Sequence, residues 1–203
     1  SDLATGLSFM NTEIKTYINK SLALIATTNG LLSRNRLFLK RAFDITISCL
    51  GLMLSVPIFA VVAAMIKIDS RGPVFFRHKR CGKGLSEFEM IKFRTMHINS
   101  EETLKRYLEK NPESLRDLEE KNKIEEDPRV TRIGKLLRGT SVDELPQLFN
   151  VLAGAMSIVG PRPDSREAVE KFYQEYKEIY ENIRPGITGL WQVSGRSDVD
   201  YKR

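Results

Sequence analysis

The sequence predicts an α+β protein that is mainly helical, with a re-entrant membrane helix-hairpin and a compact domain that contains a small β-hairpin. Residues 45–66 contain no charged side chain, whereas the 203-residue chain as a whole is 29% charged. Two apolar, strand-like runs at 72–76 and 86–96 flank a glycine-containing loop. Apolar residues recur at helical spacing in later segments, most clearly at 169–183.

Residues 1–39 are predicted to be a linker or a leading helix that joins the chain to an upstream region. The segment is weakly patterned and mostly polar. Its start lacks the charged and then apolar pattern of a signal peptide. Because the chain starts with Ser1, we expect it to begin inside a longer gene product.

The uncharged run at 45–66 is long enough for a helix to cross a bilayer, because it would rise about 33 Å against a hydrocarbon core of about 30 Å. Basic residues flank the run on both sides: Arg34, Arg36, Lys40 and Arg41 before it, and Lys67, Arg71, Arg77, Lys79 and Arg80 after it. Positive residues mark the cytoplasmic side of a membrane segment. Equal flanks therefore indicate a segment that enters and leaves by the same face.

Pro57 lies near the middle of this run, where it removes a helical hydrogen bond and favours a kink or break. We predict a re-entrant helix broken at Pro57, in which the Ser55 hydroxyl satisfies a freed carbonyl. A kinked helix that spans the membrane fully and a buried core helix of a soluble protein are the alternatives. Asp44 is predicted to pair with Lys40 or Arg41, because an unpaired charge at membrane depth is costly.

Two helical regions are predicted beyond the strands. The heavily charged stretch at 101–126, interrupted by Pro112, is typical of a pair of solvated helices. The stretch at 169–183 predicts an amphipathic helix that ends before Pro185. Its aromatic stripe is interpreted as core or membrane-facing rather than as a ligand site.

The net charge of +6 favours anionic partners such as nucleotides, phosphates, lipid head groups or nucleic acid. Nucleic acid fits less well, because the sequence has no recognition-helix pattern and carries a membrane segment. Cys49 and Cys81 lack the spacing of a disulfide framework or a zinc site. A reducing, cytoplasmic setting is the plain interpretation.

Two adjacent acids, Asp143 and Glu144, lie in a neighbourhood rich in lysine and arginine. With Ser141 they match an S-x-x-E capping box, in which Ser141 starts a helix and Glu144 reaches back to it. Pro146 leaves the helix start open, since Asp143 could equally be the cap. In both cases the helix N-terminus would stabilise anions and lower the carboxylate pKa values. From spacing alone, capping is favoured over catalysis.

Basic side chains close to glycines and prolines favour catalysis over simple capping at the acid pair. Rigid loops bring such side chains and backbone N–H groups to a phosphate. These residues are Lys92, Arg94, Arg129, Arg132, Arg138, Arg162 and Arg196. The pattern favours the phosphates of a nucleotide or a lipid as ligands.

Several runs of the sequence together resemble one protein family: KRAFD, GPVFF, KFRTM, DPRVTRIGKLLRGTSVDELPQLFNVL, MSIVGPRP and PGITGLWQVSGRSDVDY. They resemble the bacterial sugar transferases, monotopic phosphoglycosyl transferases that move a sugar 1-phosphate from a UDP-sugar to a polyprenol phosphate. The resemblance covers about 40–203 and points to large members, in which other domains precede this part. It implies a re-entrant membrane helix at 40–67 and a cytoplasmic catalytic domain at 68–203 whose C-terminal end is missing.

The resemblance also implies roles for individual residues. Asp143 matches the nucleophile, and Glu144 matches its partner, which binds Mg²⁺. The residues that match the entry and the breaking proline of the re-entrant helix are Lys40, Arg41, Asp44 and Pro57. The residues that fall in matched nucleotide- and phosphate-binding motifs are Lys92, Arg94, Arg138, Pro161, Arg162, Pro163 and Arg196.

The implied reaction transfers a hexose 1-phosphate from a UDP-sugar to undecaprenyl phosphate, giving undecaprenyl-diphosphate-sugar and UMP through a covalent intermediate on Asp143, with Mg²⁺ as cofactor. It would be the first membrane step of O-antigen, capsule or exopolysaccharide synthesis, in the bacterial inner membrane with the catalytic domain on the cytoplasmic face. The resemblance is compatible with a homodimer and implies no nucleic-acid partner. The alternative is a non-catalytic, membrane-anchored module that binds nucleotide-sugars or lipid phosphates.

Overall fold

The computed structural model describes part of the chain. The described residues are 34–112, 114, 124, 127–172 and 182–189, with the backbone alone of 14–19, 22–27 and 171–172. Over these residues the architecture is mixed and mainly helical, with two-stranded sheets. The predicted α+β class is confirmed.

The elements follow one another along the chain as short strands and helices. The helices are α1 (Arg34–Asp69), α2 (Ser100–Lys110), α3 (Arg132–Thr140), α4 (Gln147–Leu152) and α5 (Arg166–Phe172). The strands are β1 (Ile14–Asn19), β2 (Leu22–Thr27), β3 (Phe75–Cys81), β4 (Glu87–Phe93), β5 (Ser157–Val159) and β6 (Gly186–Thr188). β1 pairs antiparallel with β2, β3 pairs with β4, and β5 pairs parallel with β6.

Helix α1 is continuous over its 36 residues and contains Pro57. Because α1 runs through Pro57 without interruption, the predicted separation into two half-helices is not confirmed, and the re-entrant course of this segment stays a prediction. An internal proline forfeits one hydrogen bond and bends the axis, but the ladder on either side of it can continue. By length and composition, α1 is the one helix in the described residues that could cross a membrane, and most of its apolar side chains are exposed.

The strand and helix predictions hold in part. The predicted hairpin is confirmed as β3 and β4, joined by a 3₁₀ turn at Lys83–Leu85 in which Gly84 has φ of +70°. Helix α2 confirms the first of the two solvated helices, and it ends at Lys110, before Pro112. The second helix falls outside the described residues, as does most of the predicted 169–183 helix, of which α5 is the start. In the 1–39 segment the backbone forms the β1–β2 pair, where a linker or helix was predicted.

The described chain forms two compact units. The first unit contains β1, β2, the part of α1 up to Leu50, residues 80–88, and the described chain from Val151 onward. The second unit contains Gly51–Lys79 and Glu89–Asn150. Within the first unit, the backbones at Gly160 and Gly186 approach so closely that a Cβ on either residue would collide with the other segment. Only glycine fits these two positions.

The core of the second unit forms between α1, β4 and α3. Val62, Ile66, Phe93 and Leu137 are its buried members. Phe59 of α1 lies 4.9 Å from Phe93, centroid to centroid, and packs edge-on against Phe149. One face of this part of α1 is thus buried in protein, and burial of such side chains contributes about 1.5–3 kcal/mol each. The core fixes the strand and the helix that carry the site described next.

Candidate active site

The acid pair lies on a 3₁₀ turn, Val142–Glu144, between α3 and α4. Ser141 has φ of +58° and makes no capping hydrogen bond with its side chain, so the predicted capping box is wrong. An N-cap requires extended backbone, whereas the left-handed Ser141 ends α3, with its N–H donating to the Arg138 carbonyl. Helix α4 begins only at Gln147, directly after Pro146, which has no N–H to donate.

The Asp143 side chain is buried, with 8% of its surface exposed. Burial raises the pKa of Asp143 above its usual value, because desolvation disfavours the charged carboxylate. The positive charges of Lys92 and Arg138 lower the pKa again in part, and Glu144 raises it. The expected lowering of this pKa by a helix N-terminus is therefore wrong, since the acids lie outside the first turn of α4.

Two basic side chains from different elements lie beside the acids. Lys92 of β4 donates from Nζ to Glu144 Oε1 at 2.7 Å. Arg138, in the last turn of α3, donates from Nε to the Thr95 hydroxyl at 3.0 Å, and its charge acts on Asp143. The structure thus brings Lys92 from a distant part of the sequence to three predicted site residues that lie within seven positions of one another, Arg138, Asp143 and Glu144. Paired cations around two carboxylates form a site suited to phosphate chemistry.

Arg94 occupies a different environment from the one predicted. It is 6% exposed, and its guanidinium donates to the main-chain carbonyls of Ser70 and Arg71, just beyond the end of α1. Burial lowers the pKa of Arg94, and nearby Asp69 opposes that effect. These hydrogen bonds hold the turn after α1 in place. They do not support the predicted contact between Arg94 and a substrate phosphate.

The predicted pairing of Asp44 is confirmed, and Lys40 is its partner. Lys40 Nζ donates to Asp44 Oδ1 at 2.6 Å and also to the Ser157 hydroxyl. Asp44 is 2% exposed and accepts further bonds from the Ser157 hydroxyl and from the Ile158 N–H. These contacts tie the start of α1 to β5 within the first unit.

Arg41 and Ser55 are also held in protein surroundings. Arg41 donates to the carbonyls of Val151 and Leu152, at 2.6 and 2.9 Å, where α4 ends. A cation at this end of a helix satisfies carbonyls that have no helical partner. Ser55 is buried in α1, two residues before Pro57.

The remaining predicted site residues belong to the first unit or lie outside the described residues. Pro161 and Pro163 are buried, and Arg162 between them is exposed. Asp164 then lies 3.7 Å from Arg80 as an ion pair. The predicted phosphate contact of Arg196 lies outside the described residues.

Sequence reasoning did not single out Asn150, which helps to fix α4 on β4. Its side-chain amide accepts from the Ile91 N–H at 2.9 Å and donates to the Glu89 carbonyl at 2.7 Å. Asn150 is 6% exposed. Its two hydrogen bonds satisfy main-chain groups of β4 that a neighbouring strand would otherwise pair. A polar residue on the apolar face of the LPQLFNVL run is the sequence signal that could have identified it.

The donor set of the acid pair fits a magnesium ion. Mg²⁺ takes oxygen ligands and is commonly held by one or two carboxylates together with substrate phosphates. Asp143 and Glu144 supply two adjacent carboxylates. Within the described residues, no group of three or more His, Cys, Asp and Glu side chains could hold a metal ion by itself. Such a site would need the substrate to complete the coordination.

The chain matches the family model described as bacterial sugar transferase over residues 35–203. The chain belongs to the bacterial sugar transferase family. Both the acid-pair turn and the strand that carries Lys92 lie inside the matched range.

Relatives of this bacterial sugar transferase span several organisms. It is 41% identical over 196 residues to the undecaprenyl-phosphate galactose phosphotransferase of Salmonella typhimurium and to an uncharacterised sugar transferase of Haemophilus influenzae. Each match covers 97% of this chain and 41% of the relative. The exopolysaccharide production protein ExoY of Sinorhizobium fredii is 43% identical over 80% of this chain and 71% of its own length. The chain thus spans about two fifths of the first two relatives.

Proposed function

We propose that this chain transfers a hexose 1-phosphate from a UDP-sugar to undecaprenyl phosphate, releasing UMP and forming undecaprenyl-diphosphate-sugar. The observation that carries the proposal is the buried Asp143 carboxylate beside Glu144, with Lys92 and Arg138 around the pair. Relatives named as undecaprenyl-phosphate galactose and glucose phosphotransferases support the reaction class. The product would start a surface polysaccharide such as O-antigen, capsule or exopolysaccharide.

In the first step, an Asp143 carboxylate oxygen attacks the β-phosphorus of the UDP-sugar. The bond from that phosphorus to the oxygen bridging the two phosphates breaks, and UMP leaves with the bonding electrons. The sugar phosphate stays on Asp143 as an acyl phosphate. A carboxylate attacks a charged diphosphate only when nearby cations neutralise the phosphoryl oxygens, which is the role we assign to Lys92 and Arg138.

In the second step, a phosphate oxygen of undecaprenyl phosphate attacks the same phosphorus. The bond between that phosphorus and Asp143 breaks, the carboxylate is restored, and the lipid diphosphate sugar is released. A covalent intermediate suits these substrates, because a water-soluble donor and a membrane-bound acceptor can use one site in turn. Burial of Asp143 limits access of water, which would otherwise hydrolyse the acyl phosphate.

Glu144, next to the attacking Asp143, would hold the magnesium ion together with the donor diphosphate. When bound, the ion supplies positive charge that neutralises the phosphoryl oxygens and stabilises the leaving UMP. Lys92 holds Glu144 in place at 2.7 Å before the substrate arrives. This orientation reduces the entropy that must be lost when the diphosphate binds.

We place the protein at the bacterial inner membrane, with the acid pair on the cytoplasmic face, where UDP-sugars are made. The exposed apolar side chains of α1 support membrane insertion, since few of them find partners in protein. Because α1 is continuous through Pro57, a same-side topology requires a bend at Pro57 rather than a break.

The covalent step can be tested with UDP-sugars that are radiolabelled in the sugar. Without acceptor, the chain with Mg²⁺ should retain label that hydroxylamine releases, as expected of an acyl phosphate. Undecaprenyl phosphate should discharge the label into lipid, and EDTA should prevent labelling. Comparing several UDP-sugars in parallel would identify the donor.

Asp143→Asn should abolish the label, because the amide keeps the shape of the side chain but cannot act as the nucleophile. The matched control is Glu101→Gln, which removes an exposed carboxylate from α2 and should label like the unmodified chain. Equal labelling of the Asp143→Asn variant would refute the assignment and would favour a non-catalytic binding module.

A further inference from the structure

Thr95, the residue after the buried Arg94, makes a hydrogen bond that fixes the Arg138 side chain. Thr95 follows β4 and is 8% exposed. Its hydroxyl accepts a hydrogen bond from Arg138 Nε at 3.0 Å. The bond uses Nε, so the two terminal nitrogens of the guanidinium are the donors left to meet an anion.

The backbone of Thr95 also holds the other end of α3. Its carbonyl oxygen accepts from the Thr131 N–H at 3.0 Å, and Thr131 is the N-cap of α3. Gly134, in the first turn of α3, lies against the same carbonyl so closely that any side chain there would collide with it. Thr95 therefore contacts α3 in its first turn through the backbone and in its last turn through the hydroxyl.

We propose that Thr95 is a positioning residue for the transfer reaction, one that orients the Arg138 guanidinium toward the donor diphosphate. This inference rests on the function proposed above. A planar guanidinium fixed at Nε presents its two terminal nitrogens in one plane, the arrangement that a phosphate accepts as a paired contact. Without that bond, the exposed Arg138 side chain must be ordered each time the substrate binds, at a cost in entropy.

Two carboxylates interact with Arg138, so the orientation of its guanidinium decides whether it can bind a phosphate. The charge of Arg138 acts on Asp143 and opposes the rise in the pKa of that carboxyl. Asp127, held by Arg129 at 2.7 Å, also lies within the influence of Arg138. A guanidinium released from Thr95 is attracted by both carboxylates. The hydroxyl keeps it where it can serve the phosphate.

Two substitutions separate the hydroxyl from the bulk of Thr95. Thr95→Val keeps the shape and removes the acceptor, whereas Thr95→Ser keeps the acceptor and removes a methyl group. In the full 203-residue chain with UDP-sugar and undecaprenyl phosphate, we expect Thr95→Val to lower kcat/KM for the donor about tenfold, the effect of one hydrogen bond to a charged group. Thr95→Ser should stay within about twofold of the unmodified chain.

A cycle with Arg138→Lys tests whether Thr95 acts through Arg138. If it does, Thr95→Val should have little further effect in the Arg138→Lys background, because the fixed guanidinium is already absent. A merely structural role would reduce activity to the same extent in both backgrounds, together with the midpoint of thermal unfolding, and that result would overturn the proposal.

A spectroscopic measurement makes the inference independent of turnover. The ¹H–¹⁵N signal of the Arg138 Nε–H, assigned by its loss in Arg138→Lys, should exchange slowly with water in the unmodified chain and in Thr95→Ser. It should exchange rapidly in Thr95→Val. Slow exchange in a chain that releases no UMP from any UDP-sugar would refute the proposed function and leave the contact intact. Normal turnover by Thr95→Val would refute the positioning role and leave the function intact.

Discussion

At the scale of single residues, Asp143 shows a conflict between stability and reactivity. Its carboxylate is buried beside a second acid, and burial is the first cause of its raised pKa. Lys92 and Arg138 offset this effect only in part. The proposed nucleophile, kept in such surroundings, destabilises the folded state when it is charged. The same surroundings keep it poorly solvated and reactive.

The first prediction is that Asp143→Asn stabilises the protein at neutral pH. The pKa of Asp143 is higher in the folded state than in the unfolded state, so the folded state binds the proton more tightly. The stability that the protonated carboxyl contributes is therefore present below about pH 4 and is lost as the pH rises through the folded pKa. The asparagine variant carries no such titration. Its thermal unfolding midpoint should exceed that of the unmodified chain at pH 7.5, and the difference should vanish near pH 3.

Thermal unfolding followed by circular dichroism in detergent at a series of pH values would measure this difference. Glu101→Gln again serves as the control, because it changes an exposed carboxylate. A lower midpoint for Asp143→Asn at pH 7.5 would show that ionised Asp143 stabilises the fold, contrary to the prediction.

At the scale of elements, β4 and the two residues after it organise the second unit. Lys92 holds the acid-pair turn, Arg94 clamps the turn after α1, and Thr95 fixes α3. Asp69, the last residue of α1, accepts from the Ile133 N–H at the start of α3. Three residues within one four-residue stretch, Lys92 to Thr95, thus help to set the positions of three elements. A substitution in this short stretch should therefore alter the positions of the side chains around Asp143 and Glu144.

The second prediction concerns the contact between α1 and β5. Asp44→Ala removes the acceptor for Lys40, for the Ser157 hydroxyl and for the Ile158 N–H, which would leave buried donors without partners. We expect a loss of about 3 kcal/mol, which corresponds to a fall of about 6–12 °C in the unfolding midpoint.

Asp44→Asn should lose less, because the amide oxygen still accepts hydrogen bonds. Thr46→Ala, on the exposed surface of α1 next to this contact, is the control and should shift the midpoint by less than about 2 °C. Thermal unfolding in detergent measures all three. An Asp44→Ala midpoint equal to that of the control would show that the buried network adds nothing to stability.

At the scale of the whole molecule, charge and apolar surface agree with a protein that works at a membrane. The net charge is +6, and basic residues lie at both ends of the long apolar helix. The match to ExoY covers 71% of that relative, so the shared part makes up most of this shorter protein. The shared part contains the acid pair and the strand that orders it.

The third prediction concerns topology, because both ends of α1 should lie on the cytoplasmic side. Single cysteines are introduced at exposed Asn35 and Arg71 in a Cys49→Ser background, with Cys81 buried. A membrane-impermeant maleimide should label both sites in inside-out vesicles and neither site in spheroplasts. Labelling of the two sites from opposite faces would establish a spanning helix instead of a bend at Pro57.

Local signals in the sequence determined several features correctly. The run without charges predicted the long apolar helix, and the glycine loop between apolar runs predicted the β3–β4 hairpin, since both depend on periodicity and turn chemistry. The pairing of Asp44 with Lys40 followed from the cost of a buried charge. The family and its acid pair were recognisable from contiguous motifs.

Tertiary structure alone decided what each side chain near the acids touches. Arg94 and Thr95 are neighbours in one motif, yet the fold fastens Arg94 to the end of α1 and turns Thr95 to Arg138. The left-handed Ser141 replaced an expected helix cap with a turn that buries Asp143. Sequence patterns report short-range periodicity, whereas burial, pKa and hydrogen-bond partners depend on contacts between segments far apart in the chain. The identity of the acids was therefore readable from the sequence, and their environment was not.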